Sequence, residues 1–199
     1  GGGLFSGCTS LKAIKLPDSI TSLGHGFRQC KLYGFFENCS SLESIKLPLS
    51  LSVIEDKTFW GCKSLSAIDI PEGIRSIGYN AFQGCSSLIN LNLPNSLEDI
   101  KPRAFLGCSS LSTVHIPTKL KRICDEAFLD CPSLKTLYWN ATNCALGDYD
   151  EKSNLYRYRD IFSSAIERII FGNSVENIPN NLCRNQRIYS VGIPNSVKR

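Results

Sequence analysis

Apolar side chains return along this chain at one fixed interval. Ile45 and Leu47 are followed 23 residues later by Ile68 and Ile70, then by Leu91 and Leu93, then by Val114 and Ile116. Ile14 and Leu16 hold the same places nearer the N-terminus. Each pair brackets one polar residue, the alternation of a half-buried strand. A proline follows at once (Pro17, Pro48, Pro71, Pro94, Pro117) and ends the strand, because it has no N–H to give to a ladder. The next apolar pair, Ile20/Leu23, Leu51/Ile54, Ile74/Ile77, Leu97/Ile100 or Leu120/Ile123, predicts a second short extended segment. The unit closes on a tight or 3₁₀-like turn that points a phenylalanine and a cysteine inward. These are Phe36, Phe59, Phe82, Phe105 and Phe128, each three residues before Cys39, Cys62, Cys85, Cys108 and Cys131; Phe5 and Cys8 fit the same slots.

Written out, the unit is C-x-x-L-x-x-I-x-L-P-x-x-L-x-x-I-x-x-x-A-F-x-G. A segment of this length cannot bury both of its apolar edges alone, but stacked copies can, with strands about 4.8 Å apart. The prediction is one solenoid over residues 1–199: a β-rich right-handed superhelix with a parallel sheet on one face and short 3₁₀ or turn segments on the other. Two units are longer, near 27–39 and 139–165. Beyond the second, Ile166, Ile169, Phe171, Val175 and Ile178, then Ile188, Val191, Ile193 and Val197, refill the slots, for about eight repeats in all. The chain contains no methionine, which leads us to expect a fragment of a longer protein.

The motif LxxIxLPxxLxxIxxxAFxxCSSL, nearly complete from Cys39 through Leu134, resembles the BspA-like leucine-rich repeat family. Weaker copies carry the resemblance over almost the whole chain, and the segments WNATNC and IFGNSVENIPNNL are similar to irregular repeats of bacterial members. The resemblance implies a leucine-rich-repeat fold and a cell-surface or secreted protein that binds host or neighbouring-cell proteins, extracellular-matrix proteins among them.

Ten cysteines invite a disulfide or metal reading. Side chains stacked in register point in parallel, which spoils the dihedral a disulfide needs, so the expectation is a buried ladder of thiols. No C-x₂-C pair and no cysteine–histidine spacing suggests zinc. Cys30, Cys124, Cys144 and Cys183 lie off the ladder, and Cys144 and Cys183 are the candidates for exposure or pairing.

Composition adds little beyond this. The net charge of +4 is spread along the chain, with no Lys/Arg run to track phosphates, which argues against nucleic acid. No apolar stretch approaches the roughly 20 residues of a membrane span. His25 sits in a turn and His115 on the outward side of a strand, neither beside a nucleophile or a paired carboxylate, so no catalytic, cofactor or metal site is expected. NCS at Asn38 and NAT at Asn140 match the short glycosylation acceptor pattern.

What remains is a surface. The outward strand slots form the column Lys15, Lys46, Asp69, Asn92, His115 and Tyr138, beside the small residues Ala13, Ser44, Ala67, Asn90, Thr113 and Thr136. Eight stacked strands would make it roughly 35–40 Å long, enough for a protein–protein footprint. Lys46, Asp69, Asn92, His115 and Tyr138 are the candidate contacts. A second candidate is Tyr156, Arg157, Tyr158 and Arg159 in the long unit, since Tyr and Arg most often anchor interfaces. The segment from Tyr33 to Phe36 reads as internal. The alternative to a binding module is a spacer that presents another domain and holds no ligand of its own.

Overall fold

The structure, a computed structural model, describes residues 3–24, 33–150, 155–157 and 160–198. His25, Cys30, Tyr158 and Arg159 lie outside the described residues. The chain winds as a stack of parallel-stranded coils with no helix among the described residues. The first face carries β1 (Ala13–Lys15), paired in parallel with β2 (Ser44–Lys46). A bridge from Lys46 to Asp69 carries the face to the next coil. It continues as a five-stranded parallel sheet of β5 (Asn90–Asn92), β7 (Thr113–Ile116), β9 (Thr136–Trp139), β13 (Arg168–Phe171) and β14 (Ser190–Gly192).

The L-x-x-I pairs form a second parallel sheet of two-residue strands. These are β3 (Val53–Ile54), β4 (Ser76–Ile77), β6 (Asp99–Ile100), β8 (Arg122–Ile123) and β10 (Ala145–Leu146). Between the sheets lies one apolar core. Leu88, Ile100, Phe105, Leu111 and Val114 are completely buried in it.

On the third side the expected 3₁₀ or turn segments take the turn form. Alternate N–H groups close turns within their own coil: Trp60 N bonds Lys57 O, and Cys62 N bonds Phe59 O. The intervening N–H groups point along the stack instead: Lys57 N bonds Tyr79 O, Phe59 N bonds Ala81 O, and Gly61 N bonds Gln83 O. A 3₁₀ helix would keep every bond inside the coil. Here half of them join coils, as in a sheet. The alternation requires left-handed residues, and Lys57, Asn80, Arg103 and Glu126 hold φ of 56–60° in one column, with Gly61, Gly84 and Gly107 in another.

Seven phenylalanine rings run through the stack on this side. From Phe5 through Phe36, Phe59, Phe82, Phe105, Phe128 and Phe162, neighbouring rings lie 5.0–5.6 Å apart and within 18° of parallel. Phe162 rejoins this column after the second long unit, bridged to Phe128. That unit contains a hairpin of β11 (Asp148–Asp150) and β12 (Leu155–Arg157), antiparallel to each other. In the first long unit Phe35 and Phe36 pack inward, but Tyr33 is 61% exposed, correcting its internal assignment. The inward places beside Tyr33 are taken by Phe35 and Phe36, whose rings pack on Phe5 and on each other.

Candidate partner-binding face

The outward column forms as the alternation requires. On β7, Val114 and Ile116 are buried while His115 between them is exposed. The register places equivalent residues opposite one another on consecutive strands: Lys15 with Lys46, Asn92 with His115, His115 with Tyr138. Asp69 joins through its bridge to Lys46. Lys46, Asp69, Asn92 and His115 are exposed and Tyr138 is half-buried. The imidazole of His115 lies flat on the phenol ring of Tyr138, 4.2 Å between centroids and 4° from parallel, a rigid aromatic step on the sheet.

The column runs further than its sequence reading. Ile170 lies opposite Tyr138 and Gly192 opposite Ile170, while Arg168 and Ser190 extend the neighbouring column of Thr113 and Thr136. The signal was present, since Ile169 and Phe171 already fell in the inward slots of the weaker repeat. Along the face, lysines at one end give way to Asp69, then to amides and hydroxyls, then to Tyr138 and the 37%-exposed Ile170.

Tyr156 and Arg157 lie on β12, opposite Tyr149 and Asp148 of β11. They therefore belong to the hairpin and not to the strand face.

A second exposed aromatic group occupies the turn side. Tyr79 is 50% exposed, and the Lys57 ammonium sits over the half-buried Trp60 ring at 5.0 Å. No sequence reading singled out these residues, because their slots vary from unit to unit. Two clefts also lie off the strand face. One runs between Ile161–Phe162 and Asn181–Leu182, with Asp160 and Arg184 at its margin. The other is lined by Thr118, Lys119, Lys121, Thr142 and Asn143.

The cysteine ladder is interior. Cys39, Cys62, Cys85, Cys108 and Cys131 are fully buried, and each thiol reaches the carbonyl oxygen of a phenylalanine in the preceding coil: Phe5, Phe36, Phe59, Phe82 and Phe105, at 3.0–3.3 Å. Burial pushes the Cys62 and Cys131 thiols up to about 12 and those of Cys85 and Cys108 well above the ordinary value. Cys183 is exposed, as its irregular position suggested, whereas Cys144 is buried. Cys144 precedes β10, whose pairing with β8 draws this stretch into the stack, and burial raises its thiol to about 12 as well. Cys124 is buried too. Among the described residues, no group of three or more His, Cys, Asp or Glu is placed to hold a metal ion. Nor do they form a helix long and apolar enough to cross a membrane.

Two parallel sheets, a phenylalanine spine and one outward polar column define a leucine-rich-repeat solenoid. The BspA-type leucine-rich repeat region matches in six copies, over residues 1–35, 33–150 and 142–199, and the chain belongs to that family. The sequence has no match among curated proteins. Among solved structures, a leucine-rich repeat protein from Bacteroides ovatus is similar over 99% of this chain and 47% of its own, with TM-score 0.73 and 28% identity. A leucine-rich repeat protein from T. pallidum is similar over 84% of this chain and 70% of its own, with TM-score 0.61 and 28% identity. The chain thus spans just under half the length of the B. ovatus protein.

Proposed function

We propose that this chain is a non-enzymatic protein-binding module, working at the cell surface or after secretion, whose strand face engages a host or neighbouring-cell protein. The observation that carries this reading is the face itself. Its outward side chains are held in register by a rigid backbone ladder, the neighbouring column is of small residues from Ala13 to Thr136, and the His115–Tyr138 stack stands on it preformed. A surface so ordered before binding loses little side-chain freedom on contact, which favours recognition. The surface or secreted location rests on the family's usual setting.

The test is a protein-array screen of the purified chain against extracellular-matrix and cell-surface proteins. It would be repeated with a strand-face variant (Asn92→Ala, His115→Ala, Tyr138→Ala) and a hairpin variant (Tyr156→Ala, Arg157→Ala, Tyr158→Ala), each checked for an unchanged circular-dichroism spectrum. Specific capture that is lost only in the strand-face variant supports the reading. Loss only in the hairpin variant moves the contact to the long unit. Absence of any partner across the array favours the spacer.

A further inference from the structure

Charges on this solenoid are matched from coil to coil almost wherever they stack. Glu98 bridges Arg75 and Lys121, Asp99 takes Arg122, Arg103 takes Glu126, Lys135 takes Glu167 and Lys198 takes Glu176. Lys12 meets Glu43 at 3.8 Å at the margin of the strand face. The outward column of that face breaks the rule. Lys15 and Lys46 are direct partners across β1 and β2, so two like charges sit on adjacent strands. Neither has an ion-pair partner among the described residues, although Asp69 lies one coil further on. Both are exposed, and their neighbours Ala13 and Ser44 are small and exposed, so nothing shields the pair from a ligand. Like charges directly opposite destabilise a sheet. An anion placed between the two ammoniums would reverse the sign of that interaction.

The rest of the column says what kind of anion. A sulfated glycan or an anionic membrane calls for positive charge that continues along the surface. Along the outward column it stops after two coils, turns acidic at Asp69, becomes neutral at Asn92, and ends on the aromatic step of His115 and Tyr138 beside Ile170, while Arg168 on the neighbouring column is separated from Lys46 by four coils. Only a chain of mixed chemistry matches that order. From Lys15 to Tyr138 is five coil steps, about 24 Å at about 4.8 Å each, which an extended peptide covers in about seven residues at about 3.3 Å per residue.

We propose that Lys15 and Lys46 form the anion-recognising end of the strand face, and that the partner presents an extended segment whose carboxylates seat on these two ammoniums while an apolar residue about seven positions along it meets Tyr138. This rests on the strand face being the protein-binding surface.

The probes are fluorescein-labelled synthetic peptides bearing Asp-Asp and Leu separated by about three, seven or eleven residues of Ser and Gly, read by fluorescence anisotropy at about 50 mM and about 200 mM salt. Heparin fragments and phosphatidylserine vesicles form the comparison arms. Expected are the tightest binding at the middle spacing, weakening with salt, and a loss of about tenfold or more in Lys46→Glu and in Tyr138→Ala. Lys46→Glu also guards against a folding artefact. It gives Lys15 an opposite charge across one strand pair and Asp69 a like charge across the other, so its urea midpoint should stay close to that of the unsubstituted chain. Binding that ignores spacing, binding to heparin or vesicles in place of the peptides, or an unchanged Lys46→Glu variant each overturns the proposal. The array screen separates this failure from that of the parent reading. A protein partner lost with Tyr138→Ala but indifferent to Lys46→Glu leaves the binding face standing without its acidic ligand.

Discussion

At each interior cysteine of the ladder two bonds meet on one oxygen. The carbonyl of Phe59 accepts the N–H of Cys62 in its own coil at 3.1 Å and the thiol of Cys85 in the next at 3.2 Å. The residue at this slot must be small, apolar enough for full burial, and able to reach a carbonyl one coil away. Cysteine meets all three demands, as a small hydrophobe with a weak S–H donor. The repeat revealed that the slot was crowded and internal, but the direction of the thiol depends on the coil before it. Labelling and alkaline stability both report this burial. In native protein a thiol reagent should label Cys8 and Cys183, which are exposed, and leave Cys85 and Cys108 unmodified until denaturant is added; mass spectrometry of the labelled peptides checks this. The second concerns alkali. In the unfolded chain these thiols ionise near about 8.5, whereas folded Cys62 and Cys131 hold their protons to about 12. Between those values the unfolded state has released protons that the folded state keeps. Stability is therefore complete below the lower value and falls above it, by about 1.4 kcal/mol per buried thiol per pH unit. Urea midpoints at neutral pH and at about pH 10 should differ accordingly, and the difference should shrink in Cys62→Ala.

The elements gain their stability from the neighbouring coil rather than from their own length. A two-residue strand such as β6 is far too short to persist alone, and it is held by β4 on one side and β8 on the other. The turn column behaves likewise, alternating its bonds between its own coil and the next. Glycine has two different tasks in it. Gly84 sits at φ 73° with no crowding closer than 3.9 Å, so Gly84→Ala should cost only about 1 kcal/mol of backbone strain. Gly34 has ordinary φ, but a Cβ there would stand 1.7 Å from the Lys57 carbonyl oxygen and also clash with Thr58 N. Gly34→Ala must push two coils apart and should be much the more damaging, with a clearly larger fall in melting temperature by calorimetry. Sequence could mark both glycines as turn residues. Only the distance between coils separates a torsional requirement from a steric one.

For the whole molecule, the phenylalanine spine links consecutive coils into one object. Phe105 is fully buried with rings at 5.1 and 5.0 Å on either side, and Phe105→Ala should cost about 3–5 kcal/mol. The half-buried Phe5, stacked on Phe36, should cost distinctly less when truncated; equilibrium urea unfolding of the two variants compares them. In a stack whose coils touch only their neighbours, the damage should appear as faster amide exchange in the coils flanking the substitution before it spreads.

The repeat alone is enough to specify the solenoid, the inward and outward slots from Cys39 to Leu134, and the outward column through Tyr138. A constant 23-residue offset brings like positions together in every coil, so one unit read correctly is all of them read correctly. Where the offset breaks, that logic ends. After the second long unit the turn side re-registers by pairing Phe128 with Phe162, while the strand side pairs Leu137 with Ile169. The inserted length thus differs on the two sides, and no local pattern announces it. The burial of Cys144, the hairpin that carries Tyr156 and Arg157, the extension of the face to Ile170, and the flat contact of His115 with Tyr138 were decided by the tertiary structure alone. They depend on which backbone ladder closes next to which, a property of the stacked coils and not of any one of them.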